Sequence, residues 1–356
     1  MGCTNTLNSP ESRGLMPMYV STRNKALPIP PIDVLERFSV HEPLDTRFRS
    51  CARLLQAIWR ERRGWTMGSY ARANREPMSL GSRLDSTAAR AGFNYLNPAI
   101  AKLVRMEIAY REQGALIDEA RAWENLLSST ALAFNLLAPL KLNPTLAKSI
   151  MKLLFSIDVK QVDGVFFETS PGRGNEAYTG DHTALDALIA YTGKDGKTGF
   201  VGIEVKYAES QPANATPVKA RHMDMAGRSN LFIDATAPKL QQAPLRQFFA
   251  EHALCYSMVH ERRLFDRGQF IVIAPNQNAE IASAVEAYRL HLSAEQAQVL
   301  PFGTVSVEDF ASAIGKAGEA ELAKQITERY LDFGPVHELI DDWTPHAILN
   351  AQPMAD

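Results

Sequence analysis

Three residues in the middle of the chain are of types that act together on phosphate esters. In the segment 199–208, GFVGIEVKYA, side chains on a strand alternate faces. Glu204 and Lys206 therefore share one face with Gly202, while Ile203, Val205 and Tyr207 take the other. Asp186 stands between Leu185 and Ala187 in TALDALIAYT, again an acid planted in an apolar segment. Charges in such places are costly unless paired or bound. Two carboxylates are the hard oxygen ligands that Mg²⁺ takes, with Mn²⁺ as a substitute, and the backbone carbonyl of Val205 offers a third oxygen. Lys206 beside the metal-bound water would orient it, help deprotonate it or offset charge on a pentavalent phosphate. Taken alone, Glu-x-Lys reads more simply as a buried salt bridge. The acid on the preceding segment and the order of the surrounding elements favour hydrolysis of a phosphodiester.

Those elements follow from the pattern. QVDGVFFE, TALDALIAYT and GFVGIEVKYA read as three strands, the last two joined through GKDGK, whose Asp195-Gly196 pair marks a tight antiparallel hairpin. A helical stretch follows over 238–261, then GQFIVIAPN as a buried fourth strand, then helices over 279–293 and 307–333. Upstream, residues 46–155 read as helical, interrupted by a polar, Gly-containing stretch from Gly64 to Asn97. Residues 115–140 form one helix there, buried on most sides and ending at Pro139. Residues 1–45, rich in proline, read as a flexible tail, and 346–356 as another. The expected fold class is mixed α/β, an α+β mixed sheet with helices on its faces: a 156–345 core behind an N-terminal helical extension over 46–155.

The spacing of Asp186 from Glu204-Val205-Lys206 on adjacent strands resembles the PD-(D/E)XK, restriction-endonuclease-like nuclease superfamily. FFETSPGRGNEAYTGDHTALDALIAY followed by GFVGIEVKYAE is similar to a bacterial family of restriction-endonuclease-like proteins within it, over roughly residues 46–345. The recurring parts are Phe167-Glu168, Ser170 to Gly174, Tyr178 to Asp181, Asp186, and Ile203 to Tyr207. The resemblance implies a helix-strand-strand-strand-helix-strand core and nuclease activity. One departure is Leu185 where the superfamily's name carries Pro, a position that varies widely among its members. The resemblance also implies an acid from the helix before the first strand, for which Glu124 is the candidate, and a polar residue on the helix after the hairpin, for which Gln242 is the choice.

Glu168 closes the first strand and is either an auxiliary metal ligand or a partner for Arg173. Arg173 and His182 lie in a glycine-rich loop, SPGRGNEAYTGDH, that would hold a phosphate or serve merely as an irregular connection. Between Arg47 and Arg75 eight arginines face one acid, Glu61. Arg60 and Arg63 on this helical face would contact a polyphosphate backbone, and a simply solvated face is the plainer reading. His222, His252 and His260 lack metal-ligand spacing and read as surface or capping residues, and Cys255 as a buried inert thiol.

Composition narrows the classes without choosing among them. Lys and Arg number 38 against 40 Asp and Glu, 46% of residues are apolar and 22% charged, which excludes a disordered or fibrous chain. Cys3, Cys51 and Cys255 are too few for a disulfide framework, and the opening lacks a signal-peptide pattern, so a cytoplasmic setting is expected. No apolar run reaches a membrane span. Nucleic acid, DNA first, is the expected partner, and double-strand cleavage would call for a homodimer, since one site cuts one strand. A protein that keeps this fold, binds nucleic acid and has lost catalysis is the alternative.

Overall fold

The structure, a computed structural model, describes residues 26–70, 76–115, 117–208 and 218–350. Arg72 and Arg75 of the arginine-rich region, and residues 1–25 of the expected N-terminal tail, lie outside the described residues. Residues 26–45 are not a flexible tail. They hold α1 (Ile32–Arg37), whose Val34 and Leu35 are buried together with Phe38 and Val40. The prolines only set where the helix begins, and the apolar residues after Pro31 are spaced to bury one face.

Next come α2 (Arg47–Glu61), with its first turn capped by Thr46, and a two-stranded antiparallel ribbon, β1 (Met67–Tyr70) and β2 (Met78–Leu84). The ribbon falls in the stretch expected only to interrupt helices. Its sequence is too short and polar to show strand periodicity. Then α3 (Ser86–Ala91), α4 (Pro98–Ala109), α5 (Glu119–Glu124), α6 (Ser129–Leu142) and α7 (Pro144–Phe155) follow. The single helix expected over 115–140 is thus two, because Asn125 leaves helical geometry and Ser128 caps α6; Pro139 lies inside α6 and does not end it.

The strands follow as β3 (Val159–Thr169), β4 (Leu185–Gly193) and β5 (Thr198–Val205), then α8 (Ala220–Ser229), α9 (Leu245–Tyr256), β6 (Arg267–Ala274), α10 (Ala279–Arg289), α11 (Gln296–Val299), β7 (Phe302–Ser306), α12 (Val307–Lys316), α13 (Ala320–Tyr330) and α14 (Gly334–Asn350). The last helix carries regular structure into the stretch expected as a C-terminal tail; residues 351–356 lie outside the described ones. The sheet order is β3-β4-β5-β6-β7, antiparallel among the first three and parallel among the last three. This is the expected mixed α/β architecture, a five-stranded mixed sheet flanked by helices, with β7 as a fifth strand too short to read from FGTVS alone. Among the described residues no helix is long and apolar enough to cross a membrane.

Alternation on the strands sorts the two faces. Ala187, Ile189, Val201, Ile203, Val205, Ile271 and Ile273 pack into the larger core with α2, α6, α7 and α12. Leu188, Ala190, Phe200, Phe270 and Val272 pack against α9 and α10. The first core surrounds a buried polar network. Arg329, fully buried, donates to the backbone and side-chain oxygens of Asn94 and lies over the rings of Trp59 at 4.4 Å and Tyr330 at 4.8 Å. Asn135 donates to the Tyr330 hydroxyl at 2.7 Å, and Gln56 to the Arg329 carbonyl at 2.7 Å. Tyr207 stacks edge-on against Tyr330 at 5.2 Å, so this network also pins the end of β5.

Among the described residues Arg329 has no carboxylate partner, so carbonyl dipoles and ring faces alone stabilise its charge. Arg329→Ala is expected to cost about 3–5 kcal/mol, from the cavity and the orphaned Asn94 oxygens together. A urea midpoint measurement that gave less than about 1 kcal/mol would show the network to be unimportant.

Candidate active site

The register of the hairpin brings the two acids together. Ala187 pairs with Ile203, so one step further places Asp186 across from Glu204, and both face α9 with Leu188 and Gly202. Backbone pairing between β4 and β5 stops there, and the Val205 N–H donates instead to Asp186 Oδ2 at 2.8 Å. Lys206, just past β5, is held by its own N–H on the Ile273 carbonyl at 2.8 Å. Its Nζ lies 2.6 Å from Glu204 Oε1. Glu204 is 3% exposed and Lys206 9%.

The helix over this face approaches closely because Gly202 has no side chain. A Cβ there would sit 2.8 Å from Cys255 Sγ and 3.1 Å from Leu185 Cδ1. The approach delivers two residues that the sequence reading did not single out, Gln247 and Glu251, one helical turn apart on α9. Gln247 accepts from Lys206 Nζ at 2.6 Å, and its amide nitrogen donates to Glu204 Oε1 at 2.7 Å and Glu251 Oε1 at 2.8 Å. Glu251 is 2% exposed, and its Oε2 has no hydrogen-bond partner. The available signal was an i, i+4 polar pair inside an otherwise apolar helix.

Gln242, the expected helix residue, does not belong to that helix. It is exposed at the end of a 3₁₀ turn (Pro238–Gln241), and α9 begins only after Pro244. Proline at 244 separates the stretch expected as one helix into two pieces. Glu124 likewise is engaged elsewhere, with its Oε2 2.8 Å from Arg83 Nη2.

Glu168, near the end of β3 in left-handed backbone geometry (φ 44°), is felt electrostatically by Glu204. Its carbonyl, not its carboxylate, meets Arg173, whose Nη2 donates to it at 2.9 Å. Arg173 also donates to the His182 carbonyl at 3.4 Å and pairs with Glu112 at 3.6 Å. It thus clamps the loop to the end of β3, while His182 is exposed. Glu112 further accepts from Thr169 Oγ1 at 3.1 Å. Gly172 is required in this loop, since a Cβ would sit 2.0 Å from Tyr178 Cδ2 and φ is 69°. The N-terminal arginines are largely structural. Arg60 is 4% exposed and donates to the carbonyls of Gly81 and Trp65, which removes it as a contact for a polyphosphate. Arg63 lies over the Trp59 ring at 4.1 Å and donates to the Trp59 carbonyl at 3.1 Å. His252 is a core residue bonded to Tyr288 Oη and the Leu300 carbonyl, and His222 is also buried; neither is the surface histidine expected.

Three carboxylates, Asp186, Glu204 and Glu251, thus share the charge of one ammonium, Lys206, while Glu168 lies within reach of the Glu204 charge and of the Arg173 and Arg121 guanidinium groups. Burial, then the Glu204 charge, raise Asp186 and Glu251 well above the usual carboxylate range. The same two causes push Glu168 up to about 7. Excess negative charge in a desolvated pocket, with one carboxylate oxygen left without a partner, fits a hard cation. Among the described residues no three His, Cys, Asp or Glu side chains are close enough to enclose an ion unaided, so carbonyl oxygen and water must complete any such shell.

Because its folded-state value is raised, Glu168 keeps a proton that the unfolded chain has already lost. Without metal, stability therefore falls as pH rises from about 4.5 through about 7, by up to about 3 kcal/mol from this group. Glu168→Gln is expected to gain most of that at pH 8 and little near pH 4.5. Urea unfolding in chelator at both values tests it, and an equal difference between variant and wild type at both would refute it.

Among known proteins, no curated protein and no solved structure matches this chain. The family model described as PD-(D/E)XK nuclease superfamily matches residues 43–332, nearly the whole chain. With this match and a five-stranded mixed sheet flanked by helices, the chain belongs to the PD-(D/E)XK nuclease superfamily.

Proposed function

We propose that this protein is a Mg²⁺-dependent nuclease that hydrolyses phosphodiester bonds in DNA, with Mn²⁺ as a substitute ion. The observation that carries the reading is the convergence of Asp186, Glu204 and Lys206 on one buried end of the sheet, in a chain of a nuclease superfamily. Asp186, Glu204 and the Val205 carbonyl would hold the ion, and Glu168 is the auxiliary acid on the neighbouring strand. Bound there, Mg²⁺ supplies Lewis acidity toward the phosphate and toward a water molecule.

The remaining steps belong to the protein's own groups. Lys206 is fixed by two acceptors, Glu204 Oε1 and Gln247 Oε1, so its ammonium is preorganised and needs little rearrangement as charge develops. In the reaction it orients the attacking water and offsets charge on the phosphoryl oxygens. Gln247 holds the Lys206 and Glu204 side chains in one geometry through its two amide ends. The excess acid disfavours binding of a polyanion to the metal-free site, which couples substrate affinity to the cation.

The test is cleavage of linear and circular duplex DNA, single-stranded DNA and RNA, in Mg²⁺ or Mn²⁺, with chelator as control. Lys206→Ala and Glu204→Ala are each expected to lower cleavage at least about 10³-fold while circular dichroism shows an intact fold. Cleavage that persists in both variants would refute the assignment. Absence of cleavage by the wild type, with DNA still bound and its affinity falling steeply with salt, would favour the catalytically silent nucleic-acid-binding reading.

A further inference from the structure

Arg246 precedes Gln247 at the start of α9 and is unlike the arginines described above. Its guanidinium is partly buried, and among the described residues its side chain has neither a hydrogen-bond nor an ion-pair partner. Its Nε is shielded from solvent with no acceptor. Arg83, Arg173 and Arg329 also leave Nε unpartnered, but their terminal nitrogens are bound within the chain, whereas those of Arg246 are left for an acceptor from outside it.

The surroundings point to an anion. Asp181 is the acid that Arg246 feels, yet it lies beyond ion-pair distance. Its Oδ1 accepts the Thr183 N–H at 3.0 Å and its Oδ2 faces His222 Nε2 at 3.6 Å. His222, 1% exposed, has Nδ1 without a partner. Lys219 donates to the Gly180 carbonyl and has two further N–H groups. Both α8 and α9 begin beside these residues, at Lys219 and Pro244, and neither first turn is capped by a side chain. Two positive helix ends therefore add to the cations.

The position relative to the acids sets the scale. Arg246 directly precedes Gln247, whose amide touches Glu204 and Lys206, so the two side chains leave neighbouring positions in the first turn of α9. Thr183, whose Oγ1 is 3.4 Å from His222 Nε2, precedes Asp186 by three residues, about 10 Å of extended chain. We infer that Arg246, with Lys219 and His222 beside it, binds a backbone phosphate next to the one hydrolysed. The inference rests on the phosphodiesterase reading and adds to it the residues that hold the neighbouring phosphate. The planar guanidinium suits two non-bridging phosphate oxygens at once, a geometry that a lysine ammonium does not reproduce.

The test compares oligonucleotides that carry one neutral methylphosphonate linkage, scanned over two positions on either side of the cut. With wild type, one position is expected to lower kcat/KM about 10- to 100-fold, the worth of one charge-assisted contact. Arg246→Gln is expected to show that loss already on the all-phosphate strand, and to be nearly indifferent to methylphosphonate at that position. Lys219→Gln, an exposed substitution that leaves α9 intact, should show the same pattern more weakly. A full methylphosphonate penalty retained in both variants at every position would overturn the phosphate site alone, provided wild type cleaves the strands. Failure of wild type to hydrolyse both the oligonucleotides and bis(p-nitrophenyl) phosphate, a single diester without a neighbour, would overturn the phosphodiesterase reading and this inference with it.

Discussion

Burying several carboxylates beside a single lysine at the end of a sheet is the constraint around which this molecule is organised. Asp186 and Glu204 face each other across β4 and β5 where backbone pairing ends, and Lys206 lies 2.6 Å from one of them. Such an arrangement is unfavourable unless its hydrogen bonds are supplied and its excess charge is met. Gln247 supplies the first requirement by donating to two carboxylates and accepting from the ammonium. The second is left unmet by the chain itself. Raised proton affinity at Glu168, Asp186 and Glu251 expresses that deficit.

The scaffold holds the strained pocket from both faces of the sheet. On one side α9 approaches because residue 202 is glycine, and it places Gln247 and Glu251 over the carboxylates. On the other, Tyr207 is locked between Phe48 and Tyr330, and Asn278 donates to its carbonyl at 2.7 Å. The strand bearing Glu204 and Lys206 therefore cannot shift without disturbing both cores. A rigid support of this kind keeps polar groups near one geometry despite their mutual repulsion.

Arginines divide by environment and not by position in the sequence. Arg60, Arg173 and Arg329 satisfy backbone carbonyls, Arg173 within its own loop and Arg60 and Arg329 between segments farther apart in sequence. Arg246, one residue before Gln247, has no hydrogen-bond or ion-pair partner among the described residues. A run of basic residues near the N-terminus thus says little about a polyanion, since Arg60 and Arg63 are engaged within the chain.

By itself the sequence determined strands β3 to β6 and the face of the sheet that Asp186, Glu204 and Lys206 share. Acids and a lysine set into apolar, β-branched segments, with Asp195-Gly196 between them, fix a hairpin and its facing side chains through period-two alternation alone. The mixed α/β class followed from the order of those segments. Tertiary structure decided what covers and supports the site. Gln247 in place of Gln242 and the engagement of Glu124 by Arg83 depend on where a helix begins and how close it lies. The burial of Arg60 and the ordering of residues 26–45 depend on contacts with residues far along the chain. Local periodicity reports which face a residue takes, while the partner on that face is set by packing between elements that the sequence does not place side by side.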